Sequence, residues 1–411
     1  MVGRDICIIG GGASGMMAAI AAARCGARVT ILEQLNRVGK KLLATGNGRC
    51  NLTNVDININ RYHSSHPEFV EKALSQFGYD ETIAFFEELG ISHKVEDLGK
   101  VFPYSDQASS VLDVLRWEME SLGIEEKVDC EVISIIPSKR AFTIALKNSE
   151  QLSADAVILA TGGKASPNLG STGSGYTFAR KLGHSITATF PSLVQLNLNA
   201  PFLRALKGIK FIGSAAIYDG KELLRSDEGE ILFTDYGISG PPIFQLSRSA
   251  GELLINSKKP RLEVDMFPDI EEHKLKEDLG IRFGYRPSKS VEFSLVGMLN
   301  KRLIPTVLRE AGITDLSRPC SSISQSERAQ LAAIMKSWSF QVTGTQSWGQ
   351  AQATAGGVDV KDINPETMES RLVPGLYLCG ELLDVDGDCG GFNLQWAWSS
   401  GYCAGINAAS K

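Results

Sequence analysis

Six residues near the start of the chain have the types and spacing for nucleotide chemistry. Gly10-Gly-Gly12-Ala13-Ser14-Gly15 matches G-x-G-x-x-G, directly after the apolar run Asp5-Ile-Cys-Ile-Ile9. In such a turn Gly10 permits the sharp bend, Gly12 lets backbone approach a pyrophosphate, and Gly15 lets a helix pack on a strand. The helix that follows offers free N–H groups and a partial positive charge to phosphate. Glu33, with Gln34 beside it, ends the next apolar run, Arg28-Val-Thr-Ile-Leu32. A carboxylate there accepts ribose hydroxyls and repels a 2′-phosphate, which points to FAD or NAD rather than NADP.

Other chemistries find no footing. The eight cysteines (7, 25, 50, 130, 320, 379, 389 and 403) include no C-x-x-C pair and no zinc-type Cys/His spacing. A dithiol relay and a metal centre are therefore not expected, and reduced, mostly buried thiols in a cytoplasmic protein are. G-x-S-x-G, H-E-x-x-H and Walker A motifs do not occur.

The elements that must hold the fingerprint are legible. Residues 5–33 form a βαβ unit: strand, Ala/Met-rich helix ended by Gly26, second strand. The four glycines inside the uncharged run 6–23 argue against a signal peptide or membrane span. Helices are expected within 66–90 and over 109–122, alternating strands over 128–146, and a buried parallel strand at 156–160. From 191 to 267 the pattern is short strands and turns, with Asp219-Gly220 as a hairpin signal. Residues 271–337 are helical and polar, 376–379 form a strand, and 393–408 a last helix.

The expected architecture is α/β, with a discontinuous Rossmann-like nucleotide-binding domain over 1–190 and 351–411. A β-barrel-like insertion covers 191–270 and 338–350, and a small helical domain covers 271–337. The 411 residues suit two to three domains, and 43% apolar with 22% charged residues excludes disorder. A net charge of −5 disfavours a general nucleic-acid binder. Of the 41 glycines, 19 fall within 10–15, 39–48, 162–175, 356–357 and 375–391. One fingerprint, with glycine loops recurring at the far end of the chain, suits one long cofactor threaded through a discontinuous domain. FAD fits this better than NAD.

The motifs resemble the BaiN/YhiN-like family of NAD(P)/FAD-dependent oxidoreductases (aminoacetone oxidase-like flavoproteins). More distantly they are similar to fumarate reductase and succinate dehydrogenase flavoprotein subunits. The matching segments include Gly39 through Asn54, Phe102-Pro103, Phe233 through Pro241, Thr354-Ala-Gly-Gly357, Gly375 through Glu381, Leu383 through Gly387, and Gly390 through Trp398. The resemblance implies an FAD domain with an inserted barrel-like domain and a small helical domain. It also implies that Thr45-Gly46-Asn47-Gly48-Arg49-Cys50-Asn51 lies against the isoalloxazine edge. Lys40 and Lys41 either meet the pyrophosphate or flavin edge or sit in a solvated loop. Ala160-Thr161-Gly162-Gly163 passes the adenosine half, and Val132 contacts adenine by family analogy alone. Glu381 and Asp386 belong near the ribitol or pyrophosphate. Gly380 precedes Glu381. Gly390-Gly391-Phe392-Asn393-Leu394 opens the last helix toward flavin N1 and C2=O, which favours the anionic reduced flavin. Gly170 through Gly175 is read as a structural turn near the cofactor. Cys50 is read as packing rather than as a nucleophile. Two departures stand out: Asp235 replaces the family's usual His, and Phe392 its usual Tyr.

The leading expectation is an NAD(P)H-dependent reductase passing hydride from flavin N5 to a conjugated C=C bond of a small molecule, such as a steroid or bile-acid enone. Arg49, Tyr104, Asp235 and Tyr236 are the candidate substrate-facing catalytic residues. The alternatives are a flavin amine oxidase producing peroxide, a uridine-reducing RNA-modifying flavoenzyme, and a binder that has lost flavin. The locally basic segment 180–225 suits either RNA or a solvated face. No membrane span is expected, and the oligomeric state is left open.

Overall fold

A computed structural model describes residues 3–139 and 141–410. Two compact units emerge: residues 1–191 with 348–411, and residues 192–347.

In the first unit, five strands form a wholly parallel sheet. Their order is Leu376–Leu378, Ala156–Leu159, Asp5–Ile9, Arg28–Leu32 and Glu125–Lys127. The central register pairs Ile8 with Ile31 on one side and Ile158 on the other, and all three are fully buried. Such strands read as continuous apolar runs because both faces are covered. Asp5–Ile9 has neighbours reached by connections running in opposite directions. The crevice outside its carboxyl end is therefore the switch point where α/β sheets bind ligands.

The helices Ala13–Arg24 and Phe392–Ala409 cover the sheet in close contact. A Cβ at Gly401 would lie 2.5 Å from the Ser14 carbonyl oxygen, and one at Gly405 would strike that of Ala18. These glycines let the two helix backbones touch. The fully buried Gln395 side chain accepts from Thr53 Oγ1 at 2.5 Å and donates to Thr82 Oγ1 at 2.8 Å and Phe77 O at 3.2 Å. It thereby ties the last helix to the break at residues 77–78, where the expected 66–90 helical stretch divides into Glu68–Gln76 and Tyr79–Glu88.

In the second unit, six strands close into an antiparallel barrel: Leu196–Leu198, Gly237–Ser239, Glu222–Phe233, Lys210–Asp219, Arg261–Asp265 and Trp338–Thr345. The hairpin at Asp219-Gly220 joins strands of 10 and 12 residues, longer than the short strands expected. The sequence Arg225-Ser-Asp-Glu-Gly-Glu230 looks like a turn but runs through the strand, where it is half-exposed to exposed. The helix Pro241–Ile255, not expected from the pattern, begins with proline in its first turn, where the missing N–H costs nothing. Helices Glu272–Tyr285 and Gln325–Lys336 share one apolar core with the barrel, through Leu275, Leu279 and Leu331 beside Val264 and Trp338. The helical segment and the barrel lie within the same compact unit, residues 192–347.

Candidate functional site

Loops at the carboxyl ends of all five parallel strands open on one cavity of about 480 Å³ in the first unit. Its walls include Gly10–Ser14, Glu33, Gln34, Lys40, Lys41, Thr45, Val132, Ala160–Gly162, Glu381, Asn393 and Leu394. Residues from across the whole unit converge there because parallel strands all end on the same edge.

The fingerprint turn is shaped from inside the protein and open on the other side. Gly10 has φ +106°, and a Cβ there would strike the Ala160 carbonyl oxygen. A Cβ at Gly15 would strike the Gly10 carbonyl oxygen, and one at Gly11 would strike Val38. At Gly12 a Cβ would meet no protein atom within 4 Å. Protein packing therefore explains three of these glycines but not Gly12. The unexplained one faces the cavity at the N-terminus of a 12-residue helix, where a bound phosphate would need that space.

Glu33 is 8% exposed. One carboxylate oxygen accepts the Gly11 N–H at 2.8 Å and the other the Leu35 N–H at 2.9 Å. Burial raises its pKa, against the opposing pull of those N–H donors. Each oxygen retains acceptor capacity for a hydroxyl in the cavity. Gln34 donates to Gly170 O at 2.6 Å, which draws the 170–174 turn into the lining.

Lys41 and Glu381, 340 residues apart in sequence, form an ion pair at 2.6 Å, with side chains 24% and 19% exposed. The other oxygen of Glu381 accepts the Thr354 N–H at 3.0 Å. The Thr354 hydroxyl in turn accepts the Lys164 and Ala165 N–H groups at 2.8 and 3.0 Å. A Cβ at Gly163 would strike that hydroxyl, so Gly163 serves this junction and not the cavity wall. The Thr161 hydroxyl is buried without a hydrogen-bond partner and packs against Gly175, where a Cβ would lie 1.9 Å from it. Gly380 is gripped from the last helix: its N–H donates to Ser400 Oγ at 2.9 Å, and its carbonyl accepts from Trp396 Nε1 at 3.1 Å.

The last helix starts at Phe392 after Gly391, whose φ of +104° and contact with the Thr53 carbonyl exclude a side chain. Asn393 closes the preceding loop, accepting the Gly387 N–H at 2.9 Å and donating to Gly387 O at 2.8 Å. Phe392 packs inward against Tyr62, ring centroids 6.1 Å apart and perpendicular.

Other expected residues lie elsewhere. Only Thr45 of the 45–51 loop lines the cavity; Gly46, Asn47 and Gly48 are exposed in left-handed conformations. Cys50 is fully buried, which pushes its thiol up to about 12 and suits packing. Asn51 is buried and accepts the Val101 N–H at 3.2 Å. Asp386 is buried in a two-residue strand paired with Tyr62–His63 and is not part of the lining.

Arg49 stacks on Phe102, 4.0 Å from the ring centroid, and pairs with Glu96 and Asp106 at 2.5 Å. Lys94 completes that network on Asp106 at 2.6 Å. Tyr104 is 67% exposed. Asp235 and Tyr236 belong to the second unit, where Asp235 pairs with Lys207 at 2.7 Å, which lowers its pKa. Lys210 likewise pairs with Glu230, so part of the basic 180–225 segment is neutralised locally. Sequence reasoning passed over Gln352, Arg37, Cys130 and Phe178, which also line the cavity; none has a local signal. No helix among the described residues is long and apolar enough to cross a membrane.

Comparison with known proteins follows from this geometry. Residues 4–407 match the model of the HI0933-like protein Rossmann domain family. The chain is 42% identical over 407 residues to a 3-dehydro-bile acid delta(4,6)-reductase of Clostridium scindens, covering 98% of both. It is 32% identical over 410 residues to a ribosomal RNA dihydrouridine synthase of Escherichia coli, covering 99% of this chain and 98% of that one. In fold it is similar to a 3-ketosteroid delta1-dehydrogenase of Sterolibacterium denitrificans, at 11% identity, full coverage of both chains and a TM-score of 0.50.

Proposed function

The chain belongs to the HI0933-like Rossmann family, and from that premise we propose that it is an FAD-dependent reductase. Its substrate would be a small molecule with a C=C bond conjugated to a carbonyl, of the steroid or bile-acid kind, with NAD(P)H as transient reductant. The observation that carries the reaction is the 42% identity, across 98% of both chains, to a protein named as a bile-acid reductase. The cofactor reading is supported by the cavity itself: the open space at Gly12 and the paired acceptors of Glu33.

Bound FAD supplies a two-electron acceptor and donor of hydride. The chain supplies the rest. The Gly10–Gly12 turn and the first turn of Ala13–Arg24 present N–H groups to the pyrophosphate. Glu33 accepts ribose hydroxyls, and Val132 borders the adenine. Glu381, fixed by Lys41 and Thr354, and Lys40 hold polar groups along the middle of the cofactor. The N-terminus of Phe392–Ala409, through Asn393 and Leu394, presents its positive end to the electron-rich flavin edge.

Anaerobic mixing of the FAD-loaded protein with NADH or NADPH tests the proposal. Flavin absorbance should bleach, then recover on adding a steroid enone without dioxygen. Failure of both pyridine nucleotides to bleach the flavin, with peroxide formed from an amine instead, would establish the oxidase alternative.

A further inference from the structure

A second cavity, of about 440 Å³, opens in the second unit along the helix Glu272–Tyr285. That volume suits one small ligand. The helix carries two stripes. Leu275, Leu279 and Phe283, four residues apart, are buried in the core. Asp278, Ile281, Arg282 and Tyr285, three and four residues apart, line the cavity instead.

Past the helix end, Arg286 and Lys289 continue the wall. Backbone bonds fix this basic turn. The Lys289 N–H donates to Arg286 O at 3.0 Å. The carbonyls of Pro287 and Lys289 accept the N–H groups of Ser321 and Cys320, both at 2.9 Å. Arg282 Nη1 donates to Ser294 O at 2.8 Å, which ties the helix to Val291–Ser294.

Arg282, Arg286 and Lys289 thus line one recess, and among the described residues no carboxylate forms an ion pair with any of them. The acid in the lining, Asp278, is answered by Lys274 at 2.8 Å. The C-terminal end of a helix carries about half a negative unit charge, which accounts for less than one of the three cations. Positive charge is left over for an anion.

Aromatic surface accompanies that charge. Tyr285, in the lining, is 76% exposed, and Phe293 is 59% exposed with Lys289 Nζ 4.5 Å from its ring centroid. Cations alone would suit any anion. An exposed ring among them adds a flat face on which a heterocyclic base stacks. Guanidinium groups add forked donors that match phosphate oxygens.

We propose that this recess binds a nucleoside phosphate, with Arg282, Arg286 and Lys289 on the phosphates and the Tyr285 ring against the base. A nucleoside diphosphate brings negative charge of the same order as the three cations. A free nucleotide and the nucleotide half of a dinucleotide coenzyme share this chemistry. The site belongs to the second unit and does not depend on the FAD reading of the first.

The test is calorimetric titration with ADP, NADP+ and pyrophosphate, with FAD present in excess so that the first-unit cavity is filled. ADP should bind, and pyrophosphate more weakly. Tyr285→Ala should weaken ADP at least about five-fold, the low end for a stacked base, and leave pyrophosphate unchanged. Arg286→Gln and Lys289→Gln should each weaken both ligands about ten-fold, the low end for a charged hydrogen bond. Lys221→Gln, which removes an exposed cation from the barrel hairpin, should change neither. The substituted side chains are exposed or half-buried, so every variant should unfold at the wild-type temperature. ADP binding tighter than NADP+ assigns a free nucleotide. NADP+ binding tighter, with the same dependence on Tyr285 and Arg286, assigns the dinucleotide. No binding of ADP at millimolar concentration, or ADP affinity unchanged in both Tyr285→Ala and Arg286→Gln, overturns the proposal. Pyrophosphate binding as tightly as ADP, the mark of a plain anion patch, also overturns it. So does an oligouridylate that binds far more tightly than either nucleotide, the mark of a nucleic-acid surface.

Discussion

Gly12→Ala separates a glycine kept for a ligand from glycines kept for the fold. Gly12 caps its helix with φ −79° and ψ −172°, backbone that alanine adopts without strain. The new methyl would meet no protein atom within 4 Å. Losing a glycine restricts the unfolded chain, worth about 0.4–1 kcal/mol in favour of the folded state. Alanine is the poorer N-cap, which costs on the order of 0.5–1 kcal/mol. These terms offset, so the apo-protein should stay within about 1 kcal/mol of wild type. For a unit of this size that is a shift in Tm of about 2–4 °C. FAD affinity should fall at least about 100-fold, or ~2.8 kcal/mol, because the methyl occupies the approach to the pyrophosphate. Gly15→Ala is the contrast: its Cβ runs into the Gly10 carbonyl and lies 3.3 Å from Ala160 Cβ. That overpacking should cost the apo-protein about 1–3 kcal/mol or more. Urea unfolding of the apo forms and calorimetric titration with FAD measure both quantities. The reasoning fails if Gly12→Ala binds FAD like wild type, or if it loses more than about 2 kcal/mol without ligand.

The remaining predictions concern the cavity walls and the core. Lys41→Met leaves Glu381 with the Thr354 N–H and no cation, and should cost about 1–2 kcal/mol, reduced from a fully buried pair by partial exposure; equal urea midpoints would show the pair to be neutral. Glu33→Gln keeps an acceptor but loses its charge and one N–H bond, so FAD affinity should drop roughly ten-fold, and an unchanged titration would remove Glu33 from the ribose site. Burial pushes the thiols of Cys7, Cys50, Cys379 and Cys403 up to about 12 from an ordinary 9.0. Above pH 9 the unfolded chain releases these protons first, so stability should fall with rising pH between 9 and 12, by at most about 1.4 kcal/mol per pH unit for each thiol. A flat unfolding free energy between pH 8.5 and 10.5 would contradict their burial. In the native protein a thiol reagent should label the exposed Cys25 and spare those four.

Much of the site was legible because it is local. The turn at Gly10–Gly15, its helix and Glu33 lie within one βαβ unit, where strand pattern and glycine spacing dictate the geometry. Recurrent glycines marked the 160–163, 170–175 and 387–391 loops for a similar reason: missing side chains signal close approach, though not to what. Gly163 and Gly401 show the ambiguity, the first serving the Thr354 junction and the second the packing of two helices. In the barrel, charged and glycine residues on half-exposed strands imitated turns, so two long strands read as short ones.

By itself, then, the sequence determined the nucleotide-type turn, the parallel strands around it and the acid at the second strand's end, since each follows from neighbours in the chain. Tertiary structure alone decided the partners. Lys41 meets Glu381, His63 meets Asp388 and Thr354 accepts the backbone N–H groups of residues 164 and 165, across separations of 340, 325 and about 190 residues. No local pattern encodes such pairs. They arise because parallel strands deliver their carboxyl ends to one edge, and buried charges there must find whichever opposite charge the fold brings within reach.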